Sequence, residues 1–209
     1  MGAEGHENDA SIFGRSALSK RMEAGSLNVP PPADVCGVKL PHVILGDAIF
    51  PLRSWLMKPF SENNQTFEKR VYDYRLSRAR RCIENAFGVM AARWRILCTT
   101  IKAGLDTVDA IVKACVVLHN YMIQTENAHY IPSGFIDSEC SGHFKAGEWR
   151  SVTKDDDGLR RLNRQGSPNY SYSAKDVRDF FCDYFNSAEG SVPWQNDIVE
   201  NCGRVISEY

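Results

Sequence analysis

From Thr66 to Trp94 the sequence keeps a helical rhythm, with Tyr72, Leu76, Ala79, Ile83, Phe87, Met90 and Trp94 returning every three or four residues. That spacing places all seven on one stripe of a single long helix and predicts that the stripe is buried. The helix would run about 40 Å, so the rest of the chain has to fold around it. Between Lys69 and Arg95 the chain is also basic. Lys69, Arg70, Arg75, Arg78, Arg80, Arg81, Arg93 and Arg95 face only Asp73 and Glu84, a net of +6 in a 209-residue chain whose overall charge is −1. A local cationic surface suits phosphate, because neutralised phosphates release counterions and supply affinity that does not depend on sequence. The competing reading is a solvated helix face without a ligand.

Composition sets the outer limits. Hydrophobic residues are 43% and charged residues 24% of the chain, ordinary globular usage. No apolar run approaches the length of a membrane span, and the start MGAEGHENDA lacks a signal-peptide pattern. This reads as a soluble cellular protein, with neither a membrane nor a small-molecule substrate among its expected partners. The seven cysteines are widely spaced and form no CxxC pair, which argues against a disulfide framework or a structural zinc.

Along the chain, Ile12, Phe13, Leu18 and Met22 have helical spacing that ends near Gly25, and the Pro-rich stretch 28–37 reads as a loop. Val43 to Leu45, between Pro41 and Gly46, resembles a strand buried on both faces. Residues 54–65 read as a short helix and turn. A second helix is expected over 106–124, capped by Asp106 and largely enclosed because its sequence is almost continuously apolar. Residues 125–172 are rich in Ser, Gly, Asn and Asp and read as a flexible linker. From Ser173 an amphipathic helix presents Val177, Phe180, Phe181, Tyr184 and Phe185 on one face. That face is expected to dock on the protein's own core.

Two carboxylates stand out. Asp47 follows the buried strand directly, and ligands of open α/β sheets collect outside the carboxyl ends of strands; the simpler reading is a turn or cap. Glu84 borders the apolar stripe of the long helix, with Gly88 one turn onward. A helical glycine costs about 1 kcal/mol relative to alanine, so its place asks for a reason, and space for a metal ion or phosphate is one. The simpler reading is a surface Glu paired with Arg80 or Arg81. Acids of this kind suit Mg²⁺ or Mn²⁺, which take hard oxygen ligands. His119 falls on the apolar face of its helix and reads as a core histidine.

LPHVILGDAIFPLRSWLMKPF, EKRVYDYRLSRARRCIENAFGVMAARWRIL and VDAIVKACVVLHNYM, in that order, resemble the PIF/Harbinger group of DDE transposases and the domesticated nucleases derived from them, over about residues 1–124. The resemblance implies an α/β, RNase H-like core and a DNA endonuclease that uses a divalent metal cation. By it, Asp47 corresponds to the second metal-binding acid and Glu84 to the final Glu, with 36 residues between them. Asp9, after a Gly-rich start and before Ile12 and Phe13, matches a further active-site acid. Arg78, Arg80, Arg81 and Arg95 would neutralise DNA phosphates. The resemblance also implies a nuclear location, with the cytoplasm as a second site, and a Myb-like DNA-binding partner. Such enzymes carry an earlier Asp on the first strand, and the chain starts after that point. The expectation is thus an N-terminally truncated nuclease domain over 1–124, the linker over 125–172, and an amphipathic helix and tail over 173–209. The rival expectation is a non-catalytic transposase copy that binds DNA or protein.

Overall fold

The structure, a computed structural model, describes residues 7–61, 65–153 and 172–205. It is a mixed α/β chain whose contacts divide it into two compact units. Of the described residues, one unit holds 7–80 and 172–205 and the other 81–153, so the boundary falls inside the long helix.

The first unit opens with two short helices, α1 (Asp9–Arg15) and α2 (Ala17–Glu23). The break at Ser16 is chemical. Its hydroxyl accepts a hydrogen bond from Ser19 N at 3.1 Å, as Asn8 Oδ1 does from Ser11 N at 2.8 Å, and each oxygen satisfies a donor that a helix start leaves open. The stretch read as a loop up to residue 37 carries one arm of a hairpin, β1 (Ala33–Val35) pairing antiparallel with β2 (Val38–Leu40). Cys36 and Gly37 both have positive φ, 51° and 80°, as a two-residue turn matched to strand twist requires.

Strand β3 (Ile44–Leu45) is parallel to β4 (Leu56–Met57), with Ile44 opposite Leu56 and Leu45 opposite Met57. The helix expected over 54–65 does not form at its start: Leu56 and Met57 are buried in β4 instead. Pro59 contributes, because the residue before a proline is pushed towards extended backbone. Residues 62–64 lie outside the described residues. Helix α3 (Phe67–Arg93) follows. Its first half sends Tyr72 and Leu76 into a core with Leu52, Met57 and Phe60.

Two helices near the C-terminus, α6 (Tyr172–Asn186) and α7 (Gln195–Val205), belong to this unit as well. Ala174 and Cys182 of α6 are buried in the same core, with Val177, Phe181 and Phe185 packed against it. The aromatic face thus docks internally. Arg75 adds a tie: its Nη1 donates to Gly190 O at 2.8 Å and Gln195 Oε1 at 3.0 Å, and its guanidinium lies 4.6 Å from the Phe185 ring centre.

In the second unit α3 departs from its expected stripe. Val89 and Ala92 are buried, whereas Ile83 and Phe87 are 51% and 59% exposed. After a 3₁₀ turn (Arg95–Cys98), α4 spans Leu105–Tyr130. It starts after Gly104, with Asp106 in its first turn. The expectation of an enclosed helix is wrong for this unit: Cys115 and His119 are buried, yet Val117 is 66% exposed and Tyr121 is also open. One face of α4 is used, and an apolar sequence cannot say how many faces find neighbours.

The expected linker is ordered over its first part. Helix α4 continues to Tyr130; β5 (Ser138–Cys140) and β6 (His143–Lys145) form an antiparallel hairpin; α5 (Trp149–Val152) adds one turn. Residues 154–171 lie outside the described residues. A small core of Val89, Ala92, Tyr130 and Phe135, with Trp149 against it, holds this unit together.

Asp73 of α3 makes stability depend on pH. Its carboxylate accepts from Phe60 N at 2.9 Å and Gln65 Nε2 at 2.7 Å. Burial nevertheless pushes its pKa up to about 6, against the pull of those hydrogen bonds. A carboxyl whose folded pKa lies above its unfolded value stabilises most when protonated, so its contribution falls as pH rises from about 4 to about 6. In urea titrations across that window, wild type minus Asp73→Asn should decline with pH; a flat difference would refute this account of Asp73.

Candidate functional site

Asp47 sits where the sequence places it, two residues past β3 at the carboxyl end of a parallel strand pair. Gly46 N donates to Met57 O at 2.8 Å, extending the ladder to the residue before it. Its Oδ1 accepts from Ile49 N at 2.9 Å, a local turn that fixes the carboxylate while leaving lone pairs available. Lys58, just beyond β4, is buried, and burial lowers its pKa; Arg178 acts in the same direction and the charge of Asp47 opposes both. Asp47 is therefore within electrostatic reach of a buried ammonium.

Asp9 is the first residue of α1 and is exposed. Four residues on, Phe13 packs edge-on against Phe50 at 5.5 Å between ring centres and also meets Trp55. Positions i and i+4 share a helix face, so Asp9 lies on the row of α1 that meets the loop after Asp47.

Glu84 lies in the other unit, half-buried on α3. Its neighbours are tightly built. Asn85 Nδ2 donates to Asp137 O at 3.1 Å, and Asn85 Oδ1 accepts from Asp137 N at 3.0 Å and Trp149 Nε1 at 2.9 Å. Asp137 is buried and takes Arg150 side-on, Nε to Oδ1 at 2.8 Å and Nη2 to Oδ2 at 2.5 Å, with Gly147 N on Oδ1 at 2.8 Å. Burial works to raise the Asp137 pKa, but the hydrogen bonds from Arg150 and Gly147, with the charges of Arg150 and Arg81, together hold the carboxyl below its ordinary value. The Asp137 hydrogen bond raises the Arg150 pKa, and the charge of Glu84 adds to that rise.

Gly88 has a different reason from the one expected. A Cβ there would come within 2.4 Å of the Trp149 ring, so the indole fills the space read as room for a metal or phosphate. Beside it an open groove of about 620 Å³ is lined by Glu84, Phe87, Ala91, Thr100 and Trp149 among others.

The four arginines differ. Arg81 is held by Glu139 at 2.5 Å and lies over the Phe144 ring, with little of its side chain exposed. Arg78 lies over Trp194 at 5.3 Å, Arg80 is half-buried, and Arg95 Nη1 donates to Val152 O at 2.5 Å. His119 is buried with Nδ1 2.8 Å from Tyr130 Oη, which accepts from Trp94 Nε1 at 3.1 Å. Burial lowers its pKa, and the histidine belongs to the core.

Asp47 and Glu84 offer hard oxygen donors of the type Mg²⁺ and Mn²⁺ take, and such ions need only one or two carboxylates beside water and phosphate. Among the described residues no group of three or more His, Cys, Asp or Glu side chains converges to hold a metal. The residues around Asp137, Trp149 and Arg150 were invisible to periodicity. The one local signal is the helical glycine three residues after Asn85.

Residues 1–120 match the family described as DDE superfamily endonuclease, and the chain belongs to that family. Two curated proteins are similar to it. It is 28% identical over 136 residues to Protein ALP1-like of Arabidopsis thaliana, covering 60% of this chain and 32% of that one. It is also 28% identical over 123 residues to Putative nuclease HARBI1 of Homo sapiens, covering 57% and 32%. The chain thus spans about a third of the length of the curated relatives it matches. No solved structure matches it. Among the described residues no helix is long and apolar enough to cross a membrane.

The Gly88 seat gives a direct test. Alanine there would gain about 1 kcal/mol of helix propensity but would force Trp149 aside, an overpacking cost of about 1–3 kcal/mol. Gly88→Ala should lower stability in urea and shift Trp fluorescence. A stabilised variant would mean that Trp149 does not occupy that seat.

Proposed function

We propose that residues 1–124 are the nuclease portion of a metal-dependent DNA endonuclease with an RNase H-like core, in which Asp47 and Glu84, with Asp9 as a third acid, hold Mg²⁺ or Mn²⁺. The observation that carries this reading is the placement of Asp47 past the carboxyl end of the parallel pair β3–β4, in a chain of the DDE superfamily endonuclease family. A bound divalent ion supplies Lewis-acid stabilisation of the leaving oxygen and an activated water for phosphodiester hydrolysis. The protein's own part is to hold the ion through carboxylate oxygens and to fix the DNA backbone. Arg78, Arg80 and Arg95 neutralise phosphates; Arg81, tied to Glu139, contributes less. Phosphate contacts position DNA without reading bases, which leaves sequence choice to a Myb-like partner and the work itself to the nucleus.

A second reading has its own support. The lack of a three-ligand cluster among the described residues favours a non-catalytic module that keeps DNA or protein contacts. Mn²⁺ separates the two. On the nuclease reading, Mn²⁺ at a hundredfold excess over its Kd should stabilise the full chain by about 2.7 kcal/mol. Asp47→Asn and Glu84→Gln should each remove that stabilisation, and Glu84→Gln should abolish Mn²⁺-dependent nicking of supercoiled DNA without altering the metal-free melting temperature. DNA binding without any Mn²⁺ response would favour the module.

A further inference from the structure

The strongest feature near Glu84 that the proposed site does not use is Arg150. Its guanidinium is fixed on two sides. One edge, Nε and Nη2, is held by the buried Asp137, and one face lies 4.5 Å from the Trp149 ring centre. The remaining edge is different. Nη1 makes no hydrogen bond among the described residues, and the side chain stays 39% exposed. A guanidinium carries five N–H donors in a rigid fork, and the side-on grip of Asp137 leaves the end formed by Nη1 and the second Nη2 proton. That end has the geometry for two parallel bonds to phosphate oxygens.

Location selects the ligand. Glu84 is close enough for its charge to act on Arg150, and Asn85, the next residue, is bound on both sides of its amide to the backbone of Asp137. The open edge of Arg150 is therefore tied rigidly to the turn of α3 that carries Glu84. Residue 150 also lies outside the matched family segment 1–120.

We propose that Arg150 is a DNA phosphate contact beside Glu84, held ready by Asp137 and Trp149. This rests on the nuclease or DNA-binding reading above. The guanidinium is fixed before DNA arrives, so little side-chain freedom is lost on binding. The contact is to backbone and carries no base preference.

The test uses the full wild-type chain, a fluorescein-labelled 30-base-pair duplex and EDTA to exclude metal chemistry. Modification of arginines by a dicarbonyl reagent is followed by mass spectrometry with and without the duplex. Arg150 should react in free protein and be protected at saturating DNA. Equal modification under both conditions, with binding confirmed by anisotropy, would overturn the assignment while leaving the DNA-binding reading standing. No binding at low salt would overturn both.

Variants add a readout that a purely structural role would not move. One neutralised phosphate contributes about 0.9 to the slope of log K against log salt. Arg150→Met should lower that slope by about one, and Arg150→Lys should restore it. Arg150→Met strands a buried carboxylate, so the pair Asp137→Asn with Arg150→Gln is the companion variant, expected to lose the same increment. A folded variant of either kind with the wild-type slope would contradict the proposal.

Discussion

The buried carboxylate of Asp137 is the interaction on which the 81–153 unit depends. Burying an unpaired charge costs several kcal/mol, and a buried ion pair breaks even only when its geometry is good and its remaining lone pairs are filled. Here both oxygens are engaged by Arg150 and one also by Gly147 N. The backbone of the same residue is bound through both N–H and C=O to Asn85. One side chain of α3 is thereby welded to the hairpin segment through three elements, none contributing more than a few apolar residues. The adjacent small core of Val89, Ala92, Tyr130 and Phe135 would be thin on its own. Hydrogen bonds to charged groups, about 1.5–3 kcal/mol each, supply direction that so few apolar contacts cannot.

How far this was legible in the sequence depends on the type of force. Helix α3 was readable because seven apolar residues repeat at the helical period, and the internal docking of α6 because its aromatic residues share a face. Asp47 was readable because Pro41 and Gly46 bracket a short apolar run. The Asp137 network has no period. Its members, Asn85, Asp137, Gly147, Trp149 and Arg150, are scattered, and the Ser/Gly-rich surroundings of all but Asn85 look like a linker. Local composition reports turn-forming residues and says nothing of the hairpin, the helical turn or the buried ion pair found there.

Periodicity also reports amphipathicity rather than a neighbour. The stripe through Ile83 and Phe87 is as regular as the one through Tyr72 and Leu76, but only the latter meets a core among the described residues. The difference lies in what faces each half of the helix. Tyr72 and Leu76 meet residues from β4 and α6, whereas the second half turns Val89 and Ala92 towards Tyr130 and Phe135. A shift in the buried face midway along one helix is invisible to a pattern averaged over its whole length.

The same distinction applies to charge. Counting cations along α3 suggests a broad phosphate-facing surface, yet several guanidinium groups are structural. Arg75 binds Gly190 and Gln195, Arg81 binds Glu139, and Arg93 donates twice to Tyr130 O, at 3.0 and 2.7 Å, while lying over Phe135. Arginine suits such posts because its planar fork stacks and chelates at once. A guanidinium whose donors are all taken up inside the protein has no edge left for a phosphate, so the effective number of neutralised phosphates falls below the count of basic residues. Arg150 shows that pairing is not always consumption. The side-on grip of Asp137 fills one edge and leaves the other, so its value as a phosphate ligand is set by geometry and not by its entry in a charge count.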